Sequence, residues 1–501
     1  MKRISIYLCF IILIVSFQFT KAQNVKLTPS FFGSMEAREI GPAVMSGRIT
    51  TLDAFNKDPR LVFVGAASGG VWKSSNGGTT FKEVFKDHVQ TIGAVTINQK
   101  NKENVWVGTG ETRTRNSISI GNGIYKTTNG GDKWEHLGLD KTDHISKIII
   151  NPDNSDEVYV AALGDVWAPN EDRGVFKTTD GGKTWEKILF INDGTGCADL
   201  AMDPSNPKIF YAAMWDFQRK AYTFRSGGPG SGLYRTTDAG KNWEKVDVAS
   251  DRGELGRIAV AFSPVDPKII YALIESKKTG LYRSTDAGNT WELRTTSQFV
   301  ADRPFYFSYI VPDPIDTNRI YKPGFFMVVS DDGGFSFSSP FVEGGNVHGD
   351  MHALWINPEN NSNMYLGTDG GLYISYDKAS TWVHAQNLPI SQFYHVAVDN
   401  EKPYNVYGGL QDNGSWFGPS EGLGGISNSD WKSIGYGDGY NVLPDPTDKN
   451  IIFWQYQGGN TMRFHKNTRE IKEIKPLTVN PNEKLRFNWD TPISFSPTNK
   501  G

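Results

Sequence analysis

The chain has 501 residues, with 52 Lys and Arg against 55 Asp and Glu, so its net charge is only −3. A charge this small argues against a nucleic-acid partner and against attraction to an anionic membrane surface. Its 53 glycines and 13% aromatic residues, with few helical stretches, are typical of many short strands joined by tight turns.

Residues 1–22 have the pattern of a secretory signal peptide. Lys2 and Arg3 form a basic start, Ile4 to Phe19 an apolar run, and Thr20 to Ala22 a cleavage site. The alternative is a membrane anchor, but the run is short for a span. After cleavage Cys197 is the only cysteine, which excludes an internal disulfide. We predict an exported protein, periplasmic, cell-surface or secreted, with no membrane span after cleavage.

An eight-residue motif then recurs seven times, at intervals of 45 to 58 residues. It reads Ser/Thr-x-Asp/Asn-x-Gly-x-x-aromatic and is degraded in the last copy. Gly supplies the positive φ of a tight turn, and Asp or Asn bonds its side chain to nearby backbone. We interpret these acidic residues as hairpin formers rather than as calcium ligands or catalysts. The copies span residues 74–81, 127–134, 178–185, 236–243, 284–291, 330–337 and 375–382.

Between the boxes, two apolar strands joined by a Pro-containing turn precede a third strand that enters the box. A period of ~40–50 residues made of short strands predicts an all-β fold, a β-propeller of four-stranded blades. We predict about seven blades over residues 23–395 and further blades without boxes over 396–501. One ring of about ten blades is the alternative. A repeat that starts at Ile493 stops at Gly501, so we expect the sequence to be the N-terminal part of a longer protein.

Three insertions interrupt the regular blades, at residues 111–121, 164–173 and 215–230. Such insertions gather on one face of a propeller, where ligands bind. Trp167 and Trp215 would be sugar-stacking platforms or peptide anchors if exposed, or would pack against the next blade. Glu111, Arg113 and Arg115 form a polar loop for an anionic or hydroxyl-rich ligand, with a solvated loop as the alternative.

The run His348-x-Asp350-x-His352 is the strongest local candidate for a site. If the segment is extended, the three side chains share one face. Two histidines with this spacing can hold a divalent metal, or the group can act in acid–base chemistry. The alternative is a hydrogen-bonded cluster that braces a loop. No other cofactor is indicated.

The boxes resemble the Asp-box (BNR) repeats of sialidases, sortilins and the tandem-propeller xyloglucan-cleaving glycoside hydrolases. Several segments are closely similar to a group of secreted bacterial sortilin-like BNR proteins that are often labelled glycosyl hydrolases. This resemblance covers nearly all of the mature chain and implies the propeller fold, while one propeller fold serves many activities. The segments span residues 40–49, 108–111, 227–234, 348–355 and 409–414.

Glycoside hydrolysis normally needs two carboxylates. In the xyloglucan-cleaving family a Thr-Asp-x-Gly-Gly segment supplies one of them, but the matching segment of the first repeat, residues 66–70, has no carboxylate. Asp369, Asp412 and Asp438 are the catalytic candidates that remain, with turn formation as the alternative for each. Arg48 stands where the first arginine of a sialidase triad would stand, and the other members of the triad are not identifiable.

The sequence therefore predicts an exported propeller that binds a peptide, a protein or a glycan. The alternative is a polysaccharide-cleaving glycoside hydrolase that uses carboxylates at the rim, and whether the chain is an enzyme stays open. The missing carboxylate of the first repeat favours binding.

Overall fold

In the part of the chain that the structure describes, the repeated pattern of short apolar strands and Gly-rich turns folds into nine antiparallel sheets. The computed structural model describes residues 31, 33, 35, 37–341, 347–480 and 482–498, so the predicted signal peptide lies outside the described residues. Residues 40–501 form one compact unit. None of the described helices is long and apolar enough to cross a membrane. The prediction of an all-β propeller is confirmed.

Successive strands pair as neighbours in each sheet except the fourth, where an additional hairpin strand lies off the main strand order. Sheets one to three consist of β1 Ile49–Phe55, β2 Asp58–Ala66, β3 Val71–Ser74, β4 Lys82–Glu83; β5 Ile92–Ile97, β6 Val105–Thr109, β7 Ile124–Thr127, β8 Glu135–His136; and β9 Ile145–Ile150, β10 Val158–Ala162, β11 Gly174–Thr178, β12 Glu186–Leu189. Sheets four and five consist of β13 Thr195–Asp203, β14 Asn206–Lys220, β15 Thr223–Ser226, β16 Gly232–Thr236, β17 Glu244–Val246; and β18 Ile258–Phe262, β19 Ile270–Ile274, β20 Gly280–Ser284, β21 Glu292–Thr295.

The sixth sheet has three strands, and a single bridge between Val329 and Ser338 takes the place of a fourth. Two short helices, α1 Gln298–Ala301 and α2 Pro304–Phe307, precede it. Sheets six and seven consist of β22 Val311–Pro312, β23 Ile320–Lys322, β24 Val328–Ser330; and β25 Met351–Ile356, β26 Met364–Thr368, β27 Gly371–Ser375, β28 Val383–His384. Sheets eight and nine consist of β29 Phe393–Val398, β30 Asn405–Leu410, β31 Gly414–Pro419, β32 Lys432–Ser433; and β33 Val442–Pro444, β34 Ile451–Tyr456, β35 Asn460–His465, β36 Ile471–Glu473. Single 3-10 turns lie at Asp140–Thr142, Ser250–Arg252 and Asn428–Asp430.

Each Asp box is the turn between the third and fourth strands of a blade. In the third copy, Thr178 Oγ1 donates to Asp180 Oδ1 at 2.7 Å and accepts the Gly182 N–H at 3.0 Å. Asp180 Oδ1 also accepts the Thr184 N–H at 3.0 Å. The closing Trp185 donates its indole N–H to the Leu137 carbonyl of the preceding blade at 2.7 Å. The box carboxylate is thus used within its own turn, while the aromatic residue joins neighbouring blades.

The seventh sheet packs against the first and closes a ring of seven blades. Apolar side chains of β1 and β2 form one buried cluster with side chains of β26 and β27, and with Leu388 and Ile390 from the segment after β28. The Tyr365 hydroxyl donates to the Pro59 carbonyl at 2.8 Å, and Asn387 Nδ2 to the Thr79 carbonyl at 2.6 Å. The first strands of the seven blades line a central channel of about 320 Å³.

Sheets eight and nine lie outside this ring and pack on each other through a separate cluster that includes Tyr407 and Trp454. The segment before β1 connects the ring to sheet eight, because Ile40, Val44 and Met45 pack on its Trp416 and Trp431. The arrangement matches seven blades followed by the start of a second propeller, rather than one large ring.

Candidate functional site

An arginine at the seam of the ring organises the mouth of the channel. Arg48 lies directly before β1 and is 4% exposed. Its Nε and Nη2 donate to both oxygens of Asp369, which follows β26, at 2.5 and 2.6 Å. Its Nη1 donates to Glu111 at 2.9 Å, and Glu111 also pairs with Arg115 at 3.2 Å. The first, second and seventh blades are therefore joined by one buried network of charges.

Asp369 has no free oxygen for chemistry. Besides both bonds from Arg48, its Oδ1 lies 2.6 Å from His352 Nε2. Burial alone would raise the pKa of Asp369, but the charges of Arg48 and His352 and their hydrogen bonds hold it well below its usual range. Burial lowers the pKa of His352 to about 4, although Asp369 opposes this. Asp369, a catalytic candidate from sequence, instead holds the ring closed at its mouth.

The polar loop of the second blade faces inward rather than into solvent. Arg113 is 7% exposed, and it donates to the Tyr306 carbonyl at 3.0 Å and the His352 carbonyl at 2.9 Å. Arg257 donates to the neighbouring Phe305 carbonyl at 3.0 Å. These bonds hold helix α2 across the channel, so that Tyr306 separates the channel below from a cleft above.

The cleft above Tyr306 has a volume of about 510 Å³ and lies between the ring and sheets eight and nine. One wall comes from the ring and carries arginines and aromatic rings. The opposite wall comes from the loops of sheets eight and nine and carries carboxylates and aromatic rings. The residues that line it include Arg48, Arg115, Arg219, Arg303, Phe305, Tyr306, Asp350, Tyr394, Asp412, Asp438, Tyr440, Trp489 and Asp490.

Asp412 extends into this cleft from the turn between β30 and β31. Its side chain is 30% exposed, and Oδ2 lies 3.4 Å from Arg48 Nη2. Burial, followed by the negative charge of Asp369, a hydrogen bond with Asp369 and the charge of Asp438, raises the pKa of Asp412 well above the usual range of an aspartate, and Arg48 acts in the opposite direction. Asp412 is therefore the group at this site that keeps a proton near neutral pH.

Asp350 is the second unusual carboxyl of the cleft. It adopts a left-handed backbone conformation with φ of 56°, and its Oδ1 is buried without a hydrogen-bond partner among the described residues. Burial and the charge of Asp369 raise the pKa of Asp350 to about 6, with Arg303 acting in the opposite direction. The bend at Asp350 also breaks the extended segment that the sequence predicted, so His348, Asp350 and His352 do not share one face.

Asp438 is the third carboxyl, and it has a different environment. It is 7% exposed, accepts the Asp412 backbone N–H at 2.9 Å on one oxygen, and accepts the Trp489 indole N–H at 3.0 Å on the other. Its position makes it a support for the Asp412 turn.

The two histidines predicted as metal candidates point to separate partners. His348 Nε2 lies 3.2 Å from the Asp412 carbonyl and its Nδ1 lies 2.9 Å from the Gly349 carbonyl, while His352 contacts Asp369. Within the described part of the chain, no three His, Cys, Asp or Glu side chains are grouped as metal ligands. His348 instead joins the Asp350 loop to the Asp412 loop, as the bracing alternative predicts.

The three insertions do come together, as the sequence predicts, but they do so by burying their aromatic residues. Trp215 is 0% exposed and stacks on Phe217, with ring centroids 4.1 Å apart. Trp167 is partly buried against the same cluster, which also includes Ile118 and Phe305. The packing alternative holds for Trp215, and the insertion at 215–230 is the β14–β15 hairpin rather than an irregular loop.

Several residues of the cleft were not predicted from the sequence. Arg219 and Arg303 follow no repeat pattern, and Tyr306 belongs to the irregular segment before the sixth sheet. Tyr440 lies two residues after Asp438, a catalytic candidate from the sequence, and this proximity is its signal in the sequence. Trp489 lies in the segment after the ninth sheet, where the repeat gives no guidance.

Comparison with known proteins finds sequence similarity to sortilins and to xyloglucanases. The Sortilin-Vps10 family model (sortilin, neurotensin receptor 3) matches residues 175–313. Xyloglucanase Xgh74A of Acetivibrio thermocellus is 28% identical over 146 residues, which cover 26% of this chain and 16% of that protein. A xyloglucanase of Paenibacillus sp is 26% identical over 226 residues, which cover 38% of this chain and 20% of that protein.

Among solved structures, the GH74 enzyme of Niastella koreensis superimposes with a TM-score of 0.54 at 13% identity, covering 87% of this chain and 74% of that one. At this identity the superposition shows the fold alone. Together these findings define the class: the chain is an Asp-box β-propeller protein that is similar to the sortilins over residues 175–313 and to xyloglucanases over part of its length. The aligned part of this chain spans at most about a fifth of either xyloglucanase.

Proposed function

We propose that the cleft between the ring and sheets eight and nine hydrolyses glycosidic bonds of a polysaccharide. The observation that carries this proposal is that two carboxyls, Asp412 and Asp350, line one cleft together with Arg48, and the surroundings raise the pKa of each. When the surroundings of two titratable groups give them different pKa values, one group can act as the acid and the other as the base in the same site.

Asp412 is the proposed general acid. It keeps its proton near neutral pH, and 30% of its side chain faces the cleft. In the reaction it gives this proton to the glycosidic oxygen as the bond from that oxygen to the anomeric carbon breaks. The negative charge left on Asp412 then lies 3.4 Å from Arg48 Nη2, which Asp412 shares with Asp369.

Asp350 is the proposed general base. With a pKa of about 6 it is mostly ionised at neutral pH, and its buried Oδ1 has no partner among the described residues. It accepts a proton from the water whose oxygen bonds to the anomeric carbon. The proton lost by Asp412 and the proton gained by Asp350 balance, and the products are two shorter glycans.

The aromatic side chains that line the cleft can bind a sugar chain. Tyr394, Tyr440 and Trp489 line the cleft beside Asp412 and Asp438, and rings of this kind stack on the apolar faces of sugars. The xyloglucanases to which the chain is similar support a polysaccharide substrate. The missing carboxylate of the first repeat, which favoured binding over cleavage, is offset here by carboxyls from the seventh and eighth sheets.

A recognition protein without turnover is the second candidate, because the same cleft binds a ligand whether or not it cleaves it. Export also stays a prediction, since the signal peptide lies outside the described residues. Both candidate functions, cleavage and recognition of a glycan, suit an exported protein.

The deciding experiment measures release of reducing ends from a panel of plant and bacterial polysaccharides by the full-length protein and by Asp412→Asn. The proposal expects release from at least one polysaccharide, a loss of about 10²–10⁴-fold in Asp412→Asn, and unchanged affinity for that polysaccharide. Asp132→Asn is the matched control, because it removes the same charge from a side chain that is 68% exposed on a box turn. Binding without release from any polysaccharide would make the chain a recognition protein.

A further inference from the structure

Two arginines of the cleft form no close ion pair with any described residue. Arg219, from the β14 extension, and Arg303, before α2, both line the cleft. Neither forms an ion pair within 4 Å with any described residue, and Arg219 Nε is buried without a hydrogen-bond partner there. Arg303 is exposed, whereas Arg219 is partly buried, and a partly buried guanidinium group without a partner is costly to keep unless a ligand completes it.

Aromatic rings hold both guanidinium groups in place. Arg219 Cζ lies 4.9 Å from the centroid of Phe224, and Arg303 Cζ lies 4.6 Å from that of Tyr306. Stacking on a ring leaves the edge of the guanidinium free to donate two parallel hydrogen bonds to a carboxylate. The two groups are therefore pre-organised for a planar anion, with less rotational freedom to lose on binding.

The other arginines of this wall are already neutralised. Arg48 and Arg115 share Glu111 and Asp369, two charges against two, and His352 is neutral near pH 7. On the far wall Asp438 is held by two N–H donors and Asp490 pairs with His395 at 2.8 Å. Asp350, also on the ring wall, is mostly ionised at neutral pH and its charge acts on Arg303. Arg219 is therefore the guanidinium group of this wall that has no acidic side chain close to it among the described residues.

We infer that the cleft takes an acidic polysaccharide, with the carboxylate of a uronic acid residue bound between Arg219 and Arg303. This inference rests on the proposed function, because it assigns the substrate class of the same cleft. A neutral glycan leaves Arg219 without a partner, whereas a uronate forms charge-assisted bonds with both guanidinium groups. The sugar rings on either side of that residue lie against the Tyr and Trp side chains of the far wall.

The test uses pairs of polymers that differ only in charge: polygalacturonate, alginate and hyaluronan, each beside its carboxyl-reduced form. Affinity and product release are measured separately for the full-length protein, for Arg219→Gln and for Arg303→Gln. We expect tighter binding of the acidic member, a loss of about tenfold in each variant, and weaker binding in high salt. Arg60→Gln is the control, since that side chain is 72% exposed and pairs with Asp58.

The outcomes separate this inference from the proposed hydrolysis. Equal or better binding of the carboxyl-reduced polymers, unaffected by the two variants, would overturn the uronate site and leave hydrolysis standing if those polymers are cut. Binding of the acidic members that depends on both arginines, with no products, would support the uronate site and overturn hydrolysis. Products with an unsaturated sugar at the new end would do the same, because they show cleavage by elimination.

Discussion

Arg48 and Asp369 form a bidentate ion pair that spans the closure of the propeller, with Arg48 before the first strand of blade one and Asp369 after the second strand of blade seven. The two residues are 321 positions apart in sequence. The pair is buried and continues into Glu111 and His352. It therefore fixes both the ring and the floor of the cleft, on which Asp350 and Asp412 depend for their electrostatic environment.

Breaking this pair should destabilise the protein strongly. Asp369→Asn leaves Arg48 buried with only Glu111 as a close full partner, and loss of one partner of a buried pair costs about 3–5 kcal/mol. The measurement is the urea midpoint of the first cooperative transition. Asp58→Asn, which breaks the exposed pair with Arg60, should leave that midpoint nearly unchanged. Equal midpoints for the two variants would mean that the seam does not depend on the charge of Asp369.

Buried neutral histidines should make the fold sensitive to mild acid. Burial lowers the pKa values of His352 and His144 to about 4, from an ordinary value near 6.5. Between these two pH values the unfolded chain binds protons that the folded chain does not, so stability falls as the pH drops from about 6.5 to about 4. Each histidine contributes a loss of up to about 3 kcal/mol.

The pH dependence can be assigned with a variant. His144→Gln removes a ring whose two nitrogens have no partner among the described residues. Its unfolding midpoint should start lower at neutral pH but decline less steeply between pH 6.5 and pH 4 than that of the wild type. Parallel declines for the two proteins would rule out His144 as a source of the acid sensitivity.

The propeller could be predicted from the sequence because each box is a local structure. Thr178, Asp180 and Gly182 form their turn within five residues, so the pattern is visible without knowledge of the rest of the fold. The aromatic residue of the box and the Pro-containing turns recur with the same period, so they are also visible in the sequence. Local turn chemistry therefore predicted the architecture, and ring closure followed from the number of repeats that carry boxes.

The cleft could be predicted only in part, because its groups come from distant segments without a shared motif. Asp412 and Arg48 are 364 positions apart, and no periodicity relates them. From the sequence, Asp369 and Asp412 are equal catalytic candidates. The packing distinguishes them, because Asp369 forms an ion pair with Arg48 whereas Asp412 keeps a proton. Arg303 and Tyr306 belong to a segment that interrupts the repeat, so nothing in the pattern pointed to them.

If Asp350 and Asp412 act as base and acid, activity should show a bell-shaped dependence on pH. The acidic limb of kcat/KM should lie near pH 6, where Asp350 ionises, and the alkaline limb above neutral pH, where Asp412 loses its proton. The measurement is kcat/KM against pH on whichever polysaccharide releases reducing ends.

The Asp438→Asn variant tests whether Asp412 gives the alkaline limb of the pH profile. Asp438 is a nearby negative charge that raises the pKa of Asp412, and an amide oxygen can still accept the Asp412 N–H. The alkaline limb should therefore move to lower pH, while the acidic limb stays in place. An alkaline limb that does not move would mean that another group supplies the proton.

The two glycines of a full Asp box should differ in their tolerance of alanine. Gly181 and Gly182 both have positive φ, 74° and 99°. At the position of Gly181, boxes four and five already carry alanine with φ near 60°, Ala239 and Ala287. A Cβ on Gly181 would meet the ends of two flexible side chains, Asp156 at 3.0 Å and Lys126 at 3.2 Å. Gly181→Ala should therefore cost about 1 kcal/mol, the strain of a left-handed residue.

Gly182→Ala should cost more, because its Cβ would lie 2.6 Å from Leu137 Cδ1 and 2.9 Å from the ring of Trp106. Both atoms belong to the packed interface with the preceding blade, so crowding adds about 1–3 kcal/mol to the backbone strain. Urea midpoints of the two variants, measured side by side, check the difference. Equal losses would mean that backbone strain alone decides, and a larger loss at Gly182 would show that the second glycine of the box is required by the close approach of neighbouring blades.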